Sequence, residues 1–567
     1  MKHLFDLRLL IDFLVKKRNY LIIIFLIVRF SEFVLDLVKG DGDGSITSFY
    51  PYMLLTTIKL TLLIGFISLS IIKYVTFSFQ PLTVSLLNKL HFPFKISYFF
   101  ILTILYVSFS VYYNQGGFLE PESEFGPSEN GSIGYIRHYL SEDYSFWKKI
   151  FDVNITDNGA FQSRELSFVI DFIDCQFIDW CVGLGIPHFY SLSYYIFLVL
   201  MGWLVYHFCS KVFQLPTFLS LSLVVILWTS PCLFFSTYFY RSAKISTSFF
   251  MLWYFVMIYQ ILENKDYKAS IWQKVLLFIV PLAVTFTDRQ GFFFMLLVLL
   301  FLGFRWISLP QKKTAYLLFS CLGAVLINQF YNNYLGGKLI FYFNGYYPDF
   351  SYQTIPWKML TDWWSYQDLI FFSRATYLLL QEWRLLLGNI PTLFMFLLAI
   401  AFIWIFAKNI FWKIKSPNST EEKGMQGIAG AFMLVLFVAI IILNLLMIMR
   451  HPAMYQEGYF RLYYPIPVTV VLFIISMWVV YIVKKHELLK INVLYFIVLL
   501  ITLSNVFALS EHDTLIRSKI APRERRMRET PVFLEGLRNL NNPNYQISDS
   551  LANRPIFKFF KERHTKK

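Results

Sequence analysis

The sequence predicts an all-α polytopic membrane protein of about thirteen transmembrane helices, with a large outer loop that contains interfacial helices. Three observations carry that expectation. Of 567 residues, 57% are hydrophobic and only 15% charged, against about 25% charged in soluble domains. Apolar runs near bilayer length recur along the chain, and a run of about 18 or more residues with few charges reads as a membrane span. Lys and Arg are also unevenly shared between alternate connections. A disordered chain, a secreted disulfide scaffold and a nucleic-acid-binding domain are excluded as whole-chain descriptions. The net charge of +15 is explained by membrane orientation and needs no nucleic acid partner.

The predicted spans are 19–38, 52–73, 95–113, 188–208, 215–236, 245–262, 271–287, 290–307, 314–332, 390–410, 427–449, 463–483 and 490–509. The seventh has a short apolar core, Val275 to Thr285, so a half-span or re-entrant piece is the alternative there. With the N-terminus inside, the cytoplasmic segments hold 22 Lys/Arg and the short outer loops six: Lys39, Arg241, Lys244, Arg289, Arg450 and Arg461. The first span reads as an uncleaved signal anchor, because no small-residue cleavage site accompanies it. Residues 1–94 form an N-terminal amphipathic segment with two additional spans. Residues 95–510 form the main membrane domain, and 511–567 a basic tail expected outside.

Two large outer loops follow from this orientation. Loop 114–187 carries twelve acidic residues against four Lys/Arg. Within it, 161–179 has helical apolar spacing: Arg164, Ser167, Asp171 and Asp174 share one side, with Phe161, Phe168 and Phe172 away from it. That pattern suits a helix lying in the membrane interface. Loop 333–389 is rich in aromatics, including Tyr342, Tyr346, Trp357, Trp363 and Trp364, which suit a membrane-interface belt or a sugar-stacking surface. The tail from 510 has thirteen Lys/Arg and seven acids. Its run Arg523-Glu524-Arg525-Arg526-Met527-Arg528 reads as a solvated charge run or a contact for anionic lipid or glycan. Cys209, Cys232 and Cys321 fall in spans, where a thiol acts as a small apolar group; Cys175 and Cys181 share the outer loop and could pair.

The candidate chemistry gathers on the outer side. Ser141-Glu142-Asp143-Tyr144 presents paired carboxylates at the water–lipid boundary, suited to a general base or to positioning a divalent metal. The plainer reading is a helix cap, Ser141 and its acids starting a helix over 144–151. Opposite stand cations on the wrong face for orientation: Arg241 and Lys244, Asp288-Arg289, Arg450-His451, and Arg461 with Tyr463. Snorkelling to lipid headgroups explains any one cluster; three clusters facing one acidic loop suit a lipid-linked phosphate. Lys39-Gly40-Asp41-Gly42-Asp43 is a further acidic segment, read as a Gly-rich turn.

This combination resembles the GT-C superfamily of integral membrane glycosyltransferases, such as protein O-mannosyltransferases, aminoarabinose transferases and O-antigen glucosyltransferases. The resemblance covers the multi-span architecture over about 95–510 and an acidic first large outer loop. Ser141-Glu142-Asp143-Tyr144 looks like the family's Asp-Asp-aromatic motif, with Glu142 departing from Asp. Asn158-Gly159-Ala160-Phe161 and Arg164-Glu165-Leu166-Ser167 look like its Asn-Gly-His-Phe and Arg-Pro-Leu segments, with Glu165 in place of Pro. The resemblance implies an inverting transferase in a bacterial inner membrane, with its active site on the outer face. Asp143, paired with Glu142, would be the base. Arg241, Lys244, Arg289 and Arg461 would hold the phosphate of a polyprenyl-phosphate sugar donor, and Arg164, Glu165, Asp288, Arg450, His451 and Tyr463 would complete the binding set. The acceptor would be a glycan, lipid or protein hydroxyl. The competing class is a transporter or flippase, for which Arg29, Glu32 and Asp36 on one face of the first span are the best signal.

Overall fold

A computed structural model describes residues 95–113, 132–156, 161–188, 191–234, 242–263 and 270–350 apart from isolated positions, 466–485, and parts of 20–28, 494–509 and 532–565. The described residues are all-helical. Four helices, Leu192–Val212, Ala243–Leu262, Arg289–Ile307 and Lys312–Asn344, are long and apolar enough to cross a membrane, so the fold is that of a helical membrane protein. The predicted spans 52–73, 390–410 and 427–449 lie outside the described residues, as does most of 19–38.

Helix α1 (Lys95–Tyr113) matches its predicted span end to end. The loop that follows contains α2 (Ser132–Leu140), α3 (Phe146–Ile150), α4 (Val153–Thr156) and α5 (Glu165–Gly183). Then come α6 (Leu192–His207), extended by a π turn to Val212, and α7 (Thr217–Thr229), which breaks at Ser230 before the short α8 (Pro231–Phe234). The bundle continues through α9 (Ala243–Glu263), α10 (Ile271–Thr287), α11 (Arg289–Ser308) and α12 (Lys312–Phe330). A π turn carries α12 into α13 (Gly336–Asn344). Helices α14 (Ile466–Lys485) and α15 (Pro555–Thr565) complete the set.

The seventh predicted span forms one continuous helix, α10, despite its short apolar core. Its start is fixed by a capping box, with the Ser270 hydroxyl on the Gln273 amide and Gln273 returning to the Ser270 amide. Pro281 lies inside it and cannot donate to the Leu277 carbonyl four residues earlier. The Ser320 hydroxyl of α12 donates to that carbonyl instead. The helix therefore survives its proline because a neighbour supplies the missing donor.

Small residues set the closest packing. The Trp228 ring lies against Gly202, where a side chain would collide with it. Its indole N–H donates to the Leu198 carbonyl at 2.7 Å, and it stacks on Tyr106 at 4.6 Å. These contacts join α1, α6 and α7 in the main apolar core, to which α9, α10, α11, α12 and α14 also contribute.

The loop elements depart from the sequence expectation in three ways. The ninth span does not end near 332: the helical course from Lys312 continues to Asn344. At 1.5 Å per residue it extends about 50 Å, longer than a hydrocarbon core about 30 Å thick. Loop 114–187 packs on that extension, with Phe161 over Gly336 and its amide on the Asp349 carbonyl at 2.8 Å. Helix α5 buries its polar side, Ser167, Asp171 and Asp174, against the bundle. Its outward residues are Ile173 and Trp180, the latter 60% exposed, whereas Phe161 and Phe168 are buried rather than turned out. A helix with polar groups inward and apolar groups outward suits an interface with lipid.

The described part of the tail is not a solvated appendage. Leu537, Leu540, Phe557 and Phe560 pack with Ile136, Leu140, Phe168 and Val182 in a second core. The described parts of loop 114–187 and of the tail therefore pack together. The run 523–528 lies outside the described residues. Cys175 and Cys181 are both buried free thiols, as are Cys209, Cys232 and Cys321.

Candidate functional site

Three bundle helices begin at the end roofed by α5, and each N-terminus receives a carboxylate. Asp174 accepts the Ser193 amide at 2.9 Å together with the hydroxyls of Ser191 and Ser193, and so closes the start of α6. Asp171 accepts the Ser242 amide at 2.7 Å at the start of α9, while the Ser242 hydroxyl donates to the Ser167 carbonyl. Asp288, between α10 and α11, accepts the Gln290 amide at 2.9 Å. Helix N-termini carry partial positive charge, so anions there are favoured. The helical spacing of Asp171 and Asp174 thus serves two different membrane helices. Burial pushes the Asp171 carboxyl up to about 7, against the opposing effect of its bonds to Ser242. Burial also raises Asp174.

At the centre, the Lys244 ammonium donates to both oxygens of Asp288 at 2.8 Å. The Arg164 guanidinium lies 3.6 Å from the same carboxylate. All three side chains are buried. Burial opposes charge on Asp288, yet Lys244 and Arg164 hold its carboxyl below the usual range. Two cations thus share the Asp288 carboxylate. Arg164 also acts electrostatically on Glu165 and Asp171, and its guanidinium lies over the Phe168 ring. Arg289 opens α11 beside them and is half-buried.

Glu165 follows Arg164 and is half-buried; desolvation raises its carboxyl to about 7. It accepts a hydrogen bond from the Tyr331 hydroxyl, and its second oxygen, Oε2, has no hydrogen-bond partner among the described residues. Asn328 donates to the Ser163 hydroxyl at 2.9 Å and to the Thr285 carbonyl at 3.0 Å, tying the start of α5 to α10 and α12. Tyr331 and Asn328 were not singled out from sequence, since an aromatic or amide on an apolar helix gives no local sign of a polar partner 165 residues away.

The acidic pair sits apart from this buried centre. Glu142 and Asp143 lie in an exposed bend between α2 and α3. Ser141 does not cap a helix; its hydroxyl accepts the Asp143 amide at 3.2 Å. The cap is Ser145, whose hydroxyl accepts the Lys148 amide. The physical reason is spacing: the helix starts at Phe146, so only Ser145 is next to its first turn. The acids are therefore outside the helix rather than in its N-terminal turn. Glu142 reaches Arg563 of α15 at 3.4 Å.

Arg164, Lys244 and Asp288, predicted from separate segments, meet in space. Arg241, Arg450, His451, Arg461 and Tyr463 lie outside the described residues. Among the described residues no three His, Cys, Asp or Glu side chains converge as a metal site.

The turn that presents Asp288 depends on Gly291. A side chain there would strike the Val284 carbonyl and press on Thr247. Gly291→Ala is expected to pry α10 from α11 and to destabilise the protein by about 1–3 kcal/mol, as overpacking does. A lowered melting temperature of the detergent-solubilised protein would show it; an unchanged one would mean the turn relaxes freely.

The fold and this centre define a helical membrane protein with a charged cluster at one end of its bundle. No family model matches the chain, and no curated protein or solved structure matches it either.

Proposed function

We propose that the protein is a membrane glycosyltransferase that moves a sugar from a polyprenyl-phosphate carrier to a hydroxyl of a glycan, lipid or protein, on the outer face of the membrane. The observation that carries this reading is the convergence of Arg164 and Lys244 with Asp288, on the same loop assembly as an exposed carboxylate pair. The donor enters laterally from the outer leaflet, along the apolar outward side of α5. Asp143 takes the acceptor proton, the hydroxyl oxygen attacks the anomeric carbon with inversion, and the carbon–oxygen bond to phosphate breaks. The phosphate leaves with the bonding pair, and fixed cations stabilise its growing charge. Arg164, Arg241, Arg289 and Arg461 are assigned to that role. Lys244 supports it by holding Asp288, and Glu165 lends a hydrogen-bonding carboxyl.

A transport path would place ionisable groups near mid-bilayer. In the described bundle helices they gather at the ends: Lys244, Glu263, Arg289, Arg305, Lys312 and Lys313. Arg29, Glu32 and Asp36 lie outside the described residues. Surface chemistry fits this distribution better than transport.

Purified protein incubated with radiolabelled polyprenyl-phosphate hexoses or pentoses and candidate acceptors should yield labelled product. Arg241→Ala should raise the donor KM by about 10-fold or more, the effect of losing a charge-assisted phosphate contact. Absence of transfer from every donor would remove the enzyme reading, and an unchanged donor KM would remove the role of Arg241.

A further inference from the structure

The last described helix brings a side chain to the acidic bend from more than 400 residues away. The Arg563 Nε donates to both Asp179 oxygens at 2.9 and 3.0 Å, and its Nη1 donates to the Leu140 carbonyl at 2.8 Å and contacts Glu142 Oε1 at 3.4 Å. His564 adds a second contact to Asp179 at 3.0 Å. Arg563 is mostly buried, whereas Glu142 is 74% exposed. The fork is thus anchored on Asp179 and aimed at the bend, rather than borrowed from solvent by Glu142.

Its second anchor is informative. Leu140 is the last residue of α2 and the residue before the bend at 141–145. The other end of the bend is fixed by the Ser145 cap of α3. Helices α2 and α3 are tied together by Lys149, whose ammonium donates to the Tyr139 carbonyl at 3.0 Å, and by the His138 ring on the Lys149 carbonyl. Arg563 therefore closes a frame around Glu142 and Asp143. Charge complementarity extends beyond the contact: loop 114–187 holds twelve acids and four Lys/Arg, the tail thirteen Lys/Arg and seven acids.

We infer that Arg563 is a positioning residue of the transfer site, which fixes the bend and engages Glu142 so that Asp143 is the carboxylate presented to the acceptor. This rests on the glycosyltransferase reading. It settles a choice that the sequence left open between two adjacent acids. A lysine cannot reproduce the arrangement, because one ammonium does not span Asp179, Leu140 and Glu142 as a planar fork does.

The test uses the full-length protein in four forms: unaltered, Arg563→Ala, Glu142→Gln and the double variant, with Arg563→Lys as the conservative control. Arg563→Ala should lower kcat about 10- to 100-fold, the scale of a misplaced catalytic group, with donor KM little changed. In the Glu142→Gln background the same change should cost much less, since coupled residues are non-additive. Arg563→Lys should recover part of kcat. Equal losses in both backgrounds, or a loss carried by donor KM alone, would overturn the inference and leave Arg563 a docking residue. A second measurement needs no activity: with Glu142→Cys and Arg563→Cys combined, a short bis-maleimide should cross-link the two positions, because the natural cysteines are buried. Cross-linking without any sugar transfer in the unaltered protein would retain the docked tail and remove the enzyme reading. Transfer without cross-linking would remove the inference and retain the enzyme.

Discussion

Asp143→Asn is expected to abolish sugar transfer while leaving expression and thermal stability unchanged. The side chain is exposed, and the one hydrogen bond shown for the residue uses its backbone amide, on Ser141. Asparagine keeps the size and removes the charge and with it the ability to accept a proton, and at an exposed position folding has little reason to respond. General-base catalysis contributes about 10²–10⁴-fold, and a loss of that size is the expected outcome in the labelled-donor assay. Glu142→Gln should cost less, because Glu142 is engaged by Arg563 and an exposed pair of this kind contributes about 1 kcal/mol or less to stability. Full activity in Asp143→Asn would move the base elsewhere. Glu165 is a poor replacement in the described geometry, because Tyr331 already donates to it. Asp288 is excluded more firmly, because a base must be free to take a proton and both its oxygens already receive Lys244.

What could be read from sequence follows the range of the interactions involved. Helices α1 and α10 end where the apolar runs end, since a span is a local property of its own residues. The polar side of α5 was legible for the same reason, as Ser167, Asp171 and Asp174 recur at helical spacing. Its direction was not. The pattern does not tell whether a polar side meets water or the starts of neighbouring helices, and here Asp171 and Asp174 meet Ser242, Ser191 and Ser193. Lys244 and Asp288 stood out as charges at span ends, but their union across 44 positions is a product of packing. Arg563 gave no local signal beyond the opposite charge of tail and loop. The break at Ser230 and the extension to Asn344 were missed because hydropathy measures how apolar a run is, and not whether its helix pauses or continues past the membrane.

Lys244→Met is expected to be the most destabilising single change at the charged centre. It removes the ammonium from a fully buried Asp288 and leaves Arg164, 3.6 Å away, as the remaining cation. Breaking a buried pair by deleting one partner costs about 3–5 kcal/mol, because the other charge is left without compensation. The same physics predicts its repair. In Lys244→Met with Asp288→Asn, neither partner carries charge, and part of the lost stability should return, short of the whole because Arg164 has also lost the carboxylate 3.6 Å away; the asparagine still accepts the Gln290 amide that starts α11. Melting curves of detergent-solubilised Lys244→Met, Asp288→Asn and the double variant decide this, with the double variant more stable than Lys244→Met alone. If instead the losses add, the pair is not the thermodynamic unit that its 2.8 Å contacts describe. Acidification is a second route to the same state. Asp288 has its carboxyl held below the usual range, so its stabilising contribution is present at neutral pH and lost as the pH falls through that depressed value. Lys244→Met should flatten that part of the acid dependence, since the largest attraction holding the carboxyl down is gone. A bare structural pair would end there, whereas a site for a lipid-linked phosphate would show one more effect. The double variant retains Arg164, so it should keep measurable donor binding while Arg164→Met should not.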